Sequence, residues 1–322
     1  MILGTIRTLL SLKKRSDYPM YSMTYYGDYA FDEFLTKGMT KDEDLMAFIQ
    51  NRFTKKFAFN IPRAGCTAFL AKDANGELLY GRNYDFPTTP SLLLKTKPLN
   101  GYASISIVDM MALGFTKDHL PSGLSGKLPL LATPYLPFDG LNEKGLAVSI
   151  LQVPETKLPY DPDKVTLNTT TVIRLMLDKA ATVDEAIALV EKYNVYFSIN
   201  VYCHYFIADQ QGRSVILEFY DGKIHVIEED VASNLYACSG VILEEKHETP
   251  DPNQRYRMAK EALAKRNHHL SMEEAGELLC DLGIYYKGDN ILQWSVIYNL
   301  TSLSGMVFAG RKLSKPYYFR LK

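Results

Sequence analysis

The chain has 322 residues, a formal net charge of −1, 47% hydrophobic and 23% charged residues. These are ordinary globular values, enough for one large domain or two small ones. They give no electrostatic reason to expect nucleic acid or an anionic membrane surface as a partner, and no run reaches the ~18 consecutive apolar residues of a spanning helix.

In chain order, Met1–Leu10 is too short for a signal h-region. Its charges, Lys13, Lys14 and Arg15, follow it, and no small-residue cleavage site comes after. A cytoplasmic location is therefore expected. Residues 18–36 are rich in Tyr, Phe and acids. The spacing of Leu45, Phe48, Ile49 and Phe53 predicts a helix from Lys41 to Lys56, with Thr40 as its N-cap. That apolar face predicts an ordered segment over residues 1–65.

Next come two strand-like runs, 66–72 and 77–83, around Asp73-Ala-Asn75-Gly76. Asn-Gly between apolar runs is the strongest short-range hairpin signal. A two-residue loop sets Cys66 opposite Asp85; a longer loop sets it opposite Tyr84 or Asn83. Residues 87–138 are rich in Pro and Gly with apolar pairs between, and serve as the expected pocket wall. Ala103–Val108 and Leu146–Val153 read as strands. Asn168–Lys179 and Thr182–Tyr193 read as helices, the second opened by a capping box of Thr182 and Glu185. Val201–Ala208, Val215–Tyr220 and Lys223–Glu228 read as strands joined by turns at Asp209–Gly212 and Asp221-Gly222. Helices over Gln254–Arg266 and Met272–Leu282 precede strands near Ser295–Leu300 and Gly305–Ala309. The order of sheet, helix pair, sheet, helix pair, sheet suits an α+β chain with two antiparallel sheets between helical layers.

The four cysteines, Cys66, Cys203, Cys238 and Cys280, are widely spaced with no C-x-x-C pair. Neither a zinc site nor a disulfide framework is indicated, and His268-His269 fits a solvated turn better than a metal. Cys203 and Cys280 read as core. Cys66 is different, because the hairpin gathers it with Arg82 and Asp85. A thiol is a useful nucleophile only as thiolate, and a cation such as Arg82 lowers its pKa. No His lies nearby to take its proton. The alternative base is an α-amino group, whose ordinary pKa of roughly 7.7–8.0 suits neutral pH. A nucleophile activated by its own amino terminus is a known variant of triad logic. It requires cleavage between Gly65 and Cys66, and a Gly without Cβ leaves the preceding carbonyl open to attack.

Gly65-Cys66-Thr-Ala-Phe with Gly-Arg82-Asn-Tyr-Asp85-Phe resembles the choloylglycine hydrolase family of N-terminal nucleophile (Ntn) hydrolases. That family includes bile salt hydrolases and penicillin V acylases, with acid-ceramidase-like and N-acylethanolamine amidases as more distant relatives. Phe138-Asp-Gly-Leu-Asn-Glu-Lys-Gly-Leu146 resembles its Asp-Gly-x-Asn-Glu-Lys-Gly-Leu turn. Val231-Ala-Ser-Asn234 matches the segment with its oxyanion Asn, and Arg255 falls where the family has a late active-site Arg. The resemblance implies an αββα sandwich, with a pro-segment over 1–65 and a catalytic domain over 66–322. It also implies catalytic roles for Cys66, Arg82, Asp85, Asn234 and Arg255. Cys66 would attack the amide, Asp85 would orient its amine, Arg82 would stabilise thiolate and carboxylate, and Arg255 would brace the site. Asn234 and the backbone N–H near Gln152 would hold the oxyanion. No metal or cofactor is implied.

The chain departs from the pattern at Gln152, where bile salt hydrolases carry Asn and penicillin V acylases Tyr, and in the long segment before Cys66. Both departures favour a linear N-acyl amide with an apolar acyl chain, such as an N-acyl amino acid or N-acylethanolamine, over bile salts or penicillin V. The expected partner is that small molecule, with a homo-oligomer possible. Acyl transfer through the same thioester and a non-catalytic binding protein are the alternatives.

Overall fold

The computed structural model describes residues 2–53, 65–86, 89–238, 252–286 and 289–321. Its helices are α1 (Ile2–Leu10), α2 (Phe31–Lys37), α3 (Asp42–Arg52), α4 (Thr169–Lys179), α5 (Val183–Val190), α6 (Pro252–Lys265) and α7 (Met272–Leu282). The strands begin with β1 (Lys13–Ser16), β2 (Met20–Thr24), β3 (Gly65–Lys72), β4 (Leu78–Asp85), β5 (Ser91–Thr96), β6 (Ser104–Asp109), β7 (Asp139–Asn142) and β8 (Ala147–Gln152). They continue with β9 (Thr166–Asn168), β10 (Asn194–Tyr196), β11 (Cys203–Ala208), β12 (Ser214–Tyr220), β13 (Lys223–Glu228) and β14 (Val231–Ser233). The last are β15 (Tyr285–Tyr286), β16 (Asp289–Asn290), β17 (Leu292–Asn299), β18 (Ser304–Ala309) and β19 (Tyr317–Arg320).

Two sheets dominate. One has nine strands in the order β1-β2-β5-β6-β7-β8-β11-β12-β13; the other has six, β14-β3-β4-β17-β18-β19. Helices α4 and α5 cover the outer face of the first, and α6 and α7 that of the second. The result is a four-layer αββα sandwich. Between the sheets, Tyr80 of β4 stacks on Phe206 of β11 at 5.2 Å. Under α6 and α7, Phe69, Leu263, Leu279 and Ile297 form a second apolar cluster.

The predicted helices and strands appear within a few residues of the expected bounds. Two details of capping differ. Helix α3 begins at Asp42, and Asp44 Oδ2 accepts the backbone N–H of both Thr40 (2.7 Å) and Lys41 (3.1 Å). The predicted end at Lys56 lies outside the described residues. At α5, the Glu185 N–H donates to Thr182 Oγ1 (3.2 Å), but the Glu185 carboxylate takes the Ala181 N–H instead of that of Thr182.

The N-terminal segment is part of the main fold. Met20-Tyr-Ser-Met-Thr24 alternates well enough to form β2, which runs parallel to β5 from Met20↔Ser91 to Thr24↔Lys95. Leu9, Met23, Tyr29, Phe34, Leu45 and Ile49 are buried in the shared core. Tyr29 Oη donates to Asp178 Oδ2 (2.7 Å), and Asp178 pairs with the equally buried Arg174 (3.1 Å).

Candidate active site

The β3–β4 hairpin sets the geometry. Asp73 N–H bonds Glu77 O (2.8 Å) and Gly76 N–H bonds Asp73 O (3.0 Å), leaving Ala74-Asn75-Gly76 as a three-residue loop. Gly76 sits at φ +81°, which Gly adopts without a Cβ clash. The register is therefore Cys66↔Tyr84 and Gly65↔Asp85. Directly opposed residues point to the same face. Cys66, Arg82 and Tyr84 thus face the space between the sheets. Gly65, Thr67, Asn83 and Asp85 face the α6–α7 layer.

This separates two residues that the sequence places together. Arg82 is fully buried, and its Nη1 pairs with the equally buried Asp139 of β7 (3.2 Å), across the sandwich, rather than with Asp85. Asp139 also accepts from Tyr298 Oη (2.6 Å) and Trp294 Nε1 (3.1 Å). The guanidinium lies 4.9 Å from the Tyr84 ring and 5.2 Å from that of Trp294. Its second terminal nitrogen, Nη2, donates to Cys66 Sγ (3.6 Å) and Ile150 O (3.4 Å). Asp139 stands inside the Phe138–Leu146 motif, and nothing in its sequence neighbourhood marks it as the partner of Arg82.

Around the Cys66 backbone the remaining candidates converge. Asn234, just past β14, accepts the Cys66 N–H on Oδ1 (2.7 Å) and donates from Nδ2 to Gln152 O (2.8 Å). Arg255 of α6 donates to Asn234 Oδ1 (2.7 Å), Cys66 O (2.5 Å) and Thr67 Oγ1 (2.6 Å). Arg255 can only donate and a carbonyl can only accept, so the Asn234 amide has one orientation. The Gln152 backbone N–H bonds the Cys66 thiol. On the helical face Asp85 Oδ1 accepts the Ile284 N–H (2.8 Å), while Oδ2 meets no hydrogen-bond donor among the described residues. A Cβ at Gly65 would lie 2.2 Å from Ile284 Cδ1, so only Gly fits there without Ile284 moving.

The electrostatics follow from burial. Cys66 is 2% exposed. Burial pushes its thiol pKa up, Arg82 and Arg255 oppose this, and Asp85 adds to it. Burial also raises the Asp85 carboxyl to about 6, against Arg255 and the Ile284 N–H, which lower it. A thiol held neutral beside an amide nitrogen is chemically quiet. An amine in place of that amide would supply the missing base.

A model of the "linear amide C–N hydrolases, choloylglycine hydrolase family" matches residues 66–235, more than half of the chain. The chain belongs to the choloylglycine hydrolase family. It is a hydrolase of linear amide C–N bonds of the Ntn type. Among solved structures it resembles a penicillin V acylase from Agrobacterium tumefaciens, at 17% identity over 79% of this chain and 86% of that one, TM-score 0.55. Two mutant forms of the conjugated bile acid hydrolase from Clostridium perfringens match at 15% identity. They cover 79% and 80% of this chain and 92% of each of theirs, with TM-scores of 0.56 and 0.57. At such identities the likeness speaks to the fold. No curated protein matches the sequence.

Of the other sequence expectations, Cys203 is buried and Cys280 half-buried. Among the described residues no group of three or more His, Cys, Asp or Glu is placed to hold a metal ion. No described helix is long and apolar enough to cross a membrane. Within the expected pocket wall, Leu128 and Leu131 line a cavity of about 790 Å³ together with Tyr25, Tyr26 and Phe53 of the N-terminal segment.

Proposed function

We propose that this family member is a cysteine amidase that becomes active when the Gly65–Cys66 bond is cleaved. The observation that carries this reading is the convergence on Cys66. Its thiol meets Arg82 and the Gln152 N–H, and its backbone nitrogen meets Asn234. A nucleophile whose own nitrogen is held by a site residue is what amino-terminal catalysis requires.

In maturation, Cys66 Sγ attacks the Gly65 carbonyl carbon and the C–N bond breaks, giving a thioester and a free Cys66 amine. Water then hydrolyses the thioester and leaves Gly65 as a carboxylate. In turnover, the thiol proton passes to the α-amino group as Sγ adds to the substrate carbonyl. The oxyanion falls to the Gln152 N–H and the Asn234 side-chain N–H, donors of the kind worth about 2.7–4 kcal/mol of barrier each. The ammonium returns its proton to the leaving amine. A water deprotonated by the same amine then releases the acyl group as carboxylic acid. Asp85 Oδ2, which meets no donor among the described residues, is the acceptor that would orient the new ammonium. Residues 1–65 are the pro-segment, and 66–322 the catalytic unit.

The substrate class that best suits the site is a linear N-acyl amide with an apolar acyl chain. Gln152 gives the amine half no matched polar partner, whereas each buried CH₂ of the acyl half contributes about 0.8 kcal/mol. The test is kcat/KM over acyl chains of increasing length at a fixed head group, with Cys66→Ala as control. A rise with chain length is expected. A flat response beside a ~100-fold preference for taurine or glycine conjugates would overturn the substrate class. An active Cys66→Ala protein would overturn the nucleophile.

A further inference from the structure

Asn234 lies in a short segment between β14 and the end of the described stretch at Cys238, outside regular secondary structure. A loop of that kind does not hold a side chain to a few tenths of an ångström unless something fixes its backbone. Here a buried acid does so. Glu218 of β12 is 0% exposed. Its Oε1 accepts the Ala237 N–H (2.8 Å) and meets His204 Nδ1 (3.0 Å), and its Oε2 accepts the Cys238 N–H (2.9 Å). An ionised carboxylate only accepts, so Nδ1 carries the hydrogen. His204, on β11, is itself 0% exposed. Burial alone would raise the Glu218 pKa; the bonds from His204, Cys238 and Ala237 outweigh it and hold the carboxylate at about 2. A second tie runs from the same segment, as Tyr236 Oη donates to Pro154 O (2.9 Å) just beyond Gln152.

We propose that Glu218, oriented by His204, is a positioning residue that sets the backbone of the Asn234 segment for the reaction at Cys66, beside the direct bond from Arg255 to the Asn234 side chain. The carboxylate bonds to His204, Ala237 and Cys238 rather than to the Cys66 thiol. It acts through two backbone amides only three and four residues beyond Asn234. The inference rests on the role given to Asn234 above. A misplacement of about 1 Å in such a group can cost on the order of 100-fold in rate. The charge matters more than the shape. An amide in place of the carboxylate would turn an NH₂ group toward N–H donors and leave buried groups unpaired.

The test is Glu218→Gln in the full chain. We expect kcat to fall about 10–100-fold, by analogy with the loss of residues that orient metal ligands, with KM within about threefold. Labelling of Cys66 by iodoacetamide should be unchanged, because Arg82 and the Gln152 N–H are untouched. Amide exchange over 234–238 should accelerate while that of β17 stays slow. Glu218→Asp, which keeps the charge, should recover part of the rate. A Glu218→Gln enzyme with kcat within twofold of the parent would overturn the proposal. So would a folded variant that loses rate while exchange over 234–238 stays as slow as in the parent. If the variant does not fold, exchange on the unmodified enzyme decides: slow amides at Ala237 and Cys238 are expected, and loop-like fast exchange there would refute the anchor. If Cys66→Ala stays active, the nucleophile reading fails on its own, and the exchange result still decides whether Glu218 holds the segment.

Discussion

Asp139→Asn separates the two possible partners of Arg82. Arg82 and Asp139 are both fully buried with 3.2 Å between charged atoms. Neutralising the acid leaves the guanidinium without its counter-charge in the core, a loss of about 3–5 kcal/mol. It also forces Tyr298 and Trp294 to share one acceptor, since Asn has a single side-chain oxygen. In a chain of this size the melting temperature should drop by on the order of 10 °C. A second effect runs the other way. With Asp139 neutral, the Arg82 charge acts more fully on Cys66 and its thiolate is favoured, so iodoacetamide should label Cys66 faster at a given pH. Thermal melting and mass-resolved labelling of one preparation read both. A loss of about 1 kcal/mol or less, as for an exposed pair, would refute the reasoning. A larger loss from Asp85→Asn than from Asp139→Asn would return the partner of Arg82 to its own hairpin.

Other consequences follow. The Asp85 carboxyl, raised to about 6 from an unfolded value near 3.9, stabilises the fold below pH 4, and that contribution is lost as pH rises through 6. Uncleaved Cys66→Ala protein should therefore lose up to about 3 kcal/mol from this group between pH 4 and pH 8, and Asp85→Asn should flatten the unfolding profile by that share. Gly65→Ala places a methyl 2.2 Å from Ile284 Cδ1; cleavage should slow severalfold by gel assay and recover in the Gly65→Ala, Ile284→Ala double variant. Asn234→Ala removes one oxyanion donor and should cut kcat by about 10²–10³ with little change in KM; a smaller change would give the oxyanion to other donors. Because β1 and β2 belong to the nine-stranded sheet, the segment before Cys66 should stay bound after cleavage, and the two pieces should co-elute until denaturant is added.

Local signals made most of the catalytic half legible. The Asn-Gly turn fixed a hairpin ending at Cys66, and the periodic segments gave both helix pairs. Four things were hidden, each for a physical reason. Whether Asp85 shares a face with Cys66 depends on a single residue of loop length, since a one-residue slip turns every side chain of a strand to the other face. Here Gly76 closes a three-residue loop, and Asp85 turns away from Arg82. The true partner, Asp139, lies 57 positions beyond Arg82 in the other sheet, a distance that only tertiary packing resolves. Strand β2 is five residues long and pairs in parallel with β5 across α2, α3 and the β3–β4 hairpin, so its short alternation gains a partner only in the folded chain. His204 and Glu218 look like any polar residues in apolar strands until the Asn234 segment folds over them.

The most direct test of the account is the first residue of the working enzyme. Intact-mass analysis of active protein, repeated after trapping with an acyl substrate, should give a chain of residues 66–322. That chain should gain the mass of the acyl group at Cys66, and Cys66→Ala should remain uncut. A full-length chain that retains Gly65 and turns over at the full rate would contradict it.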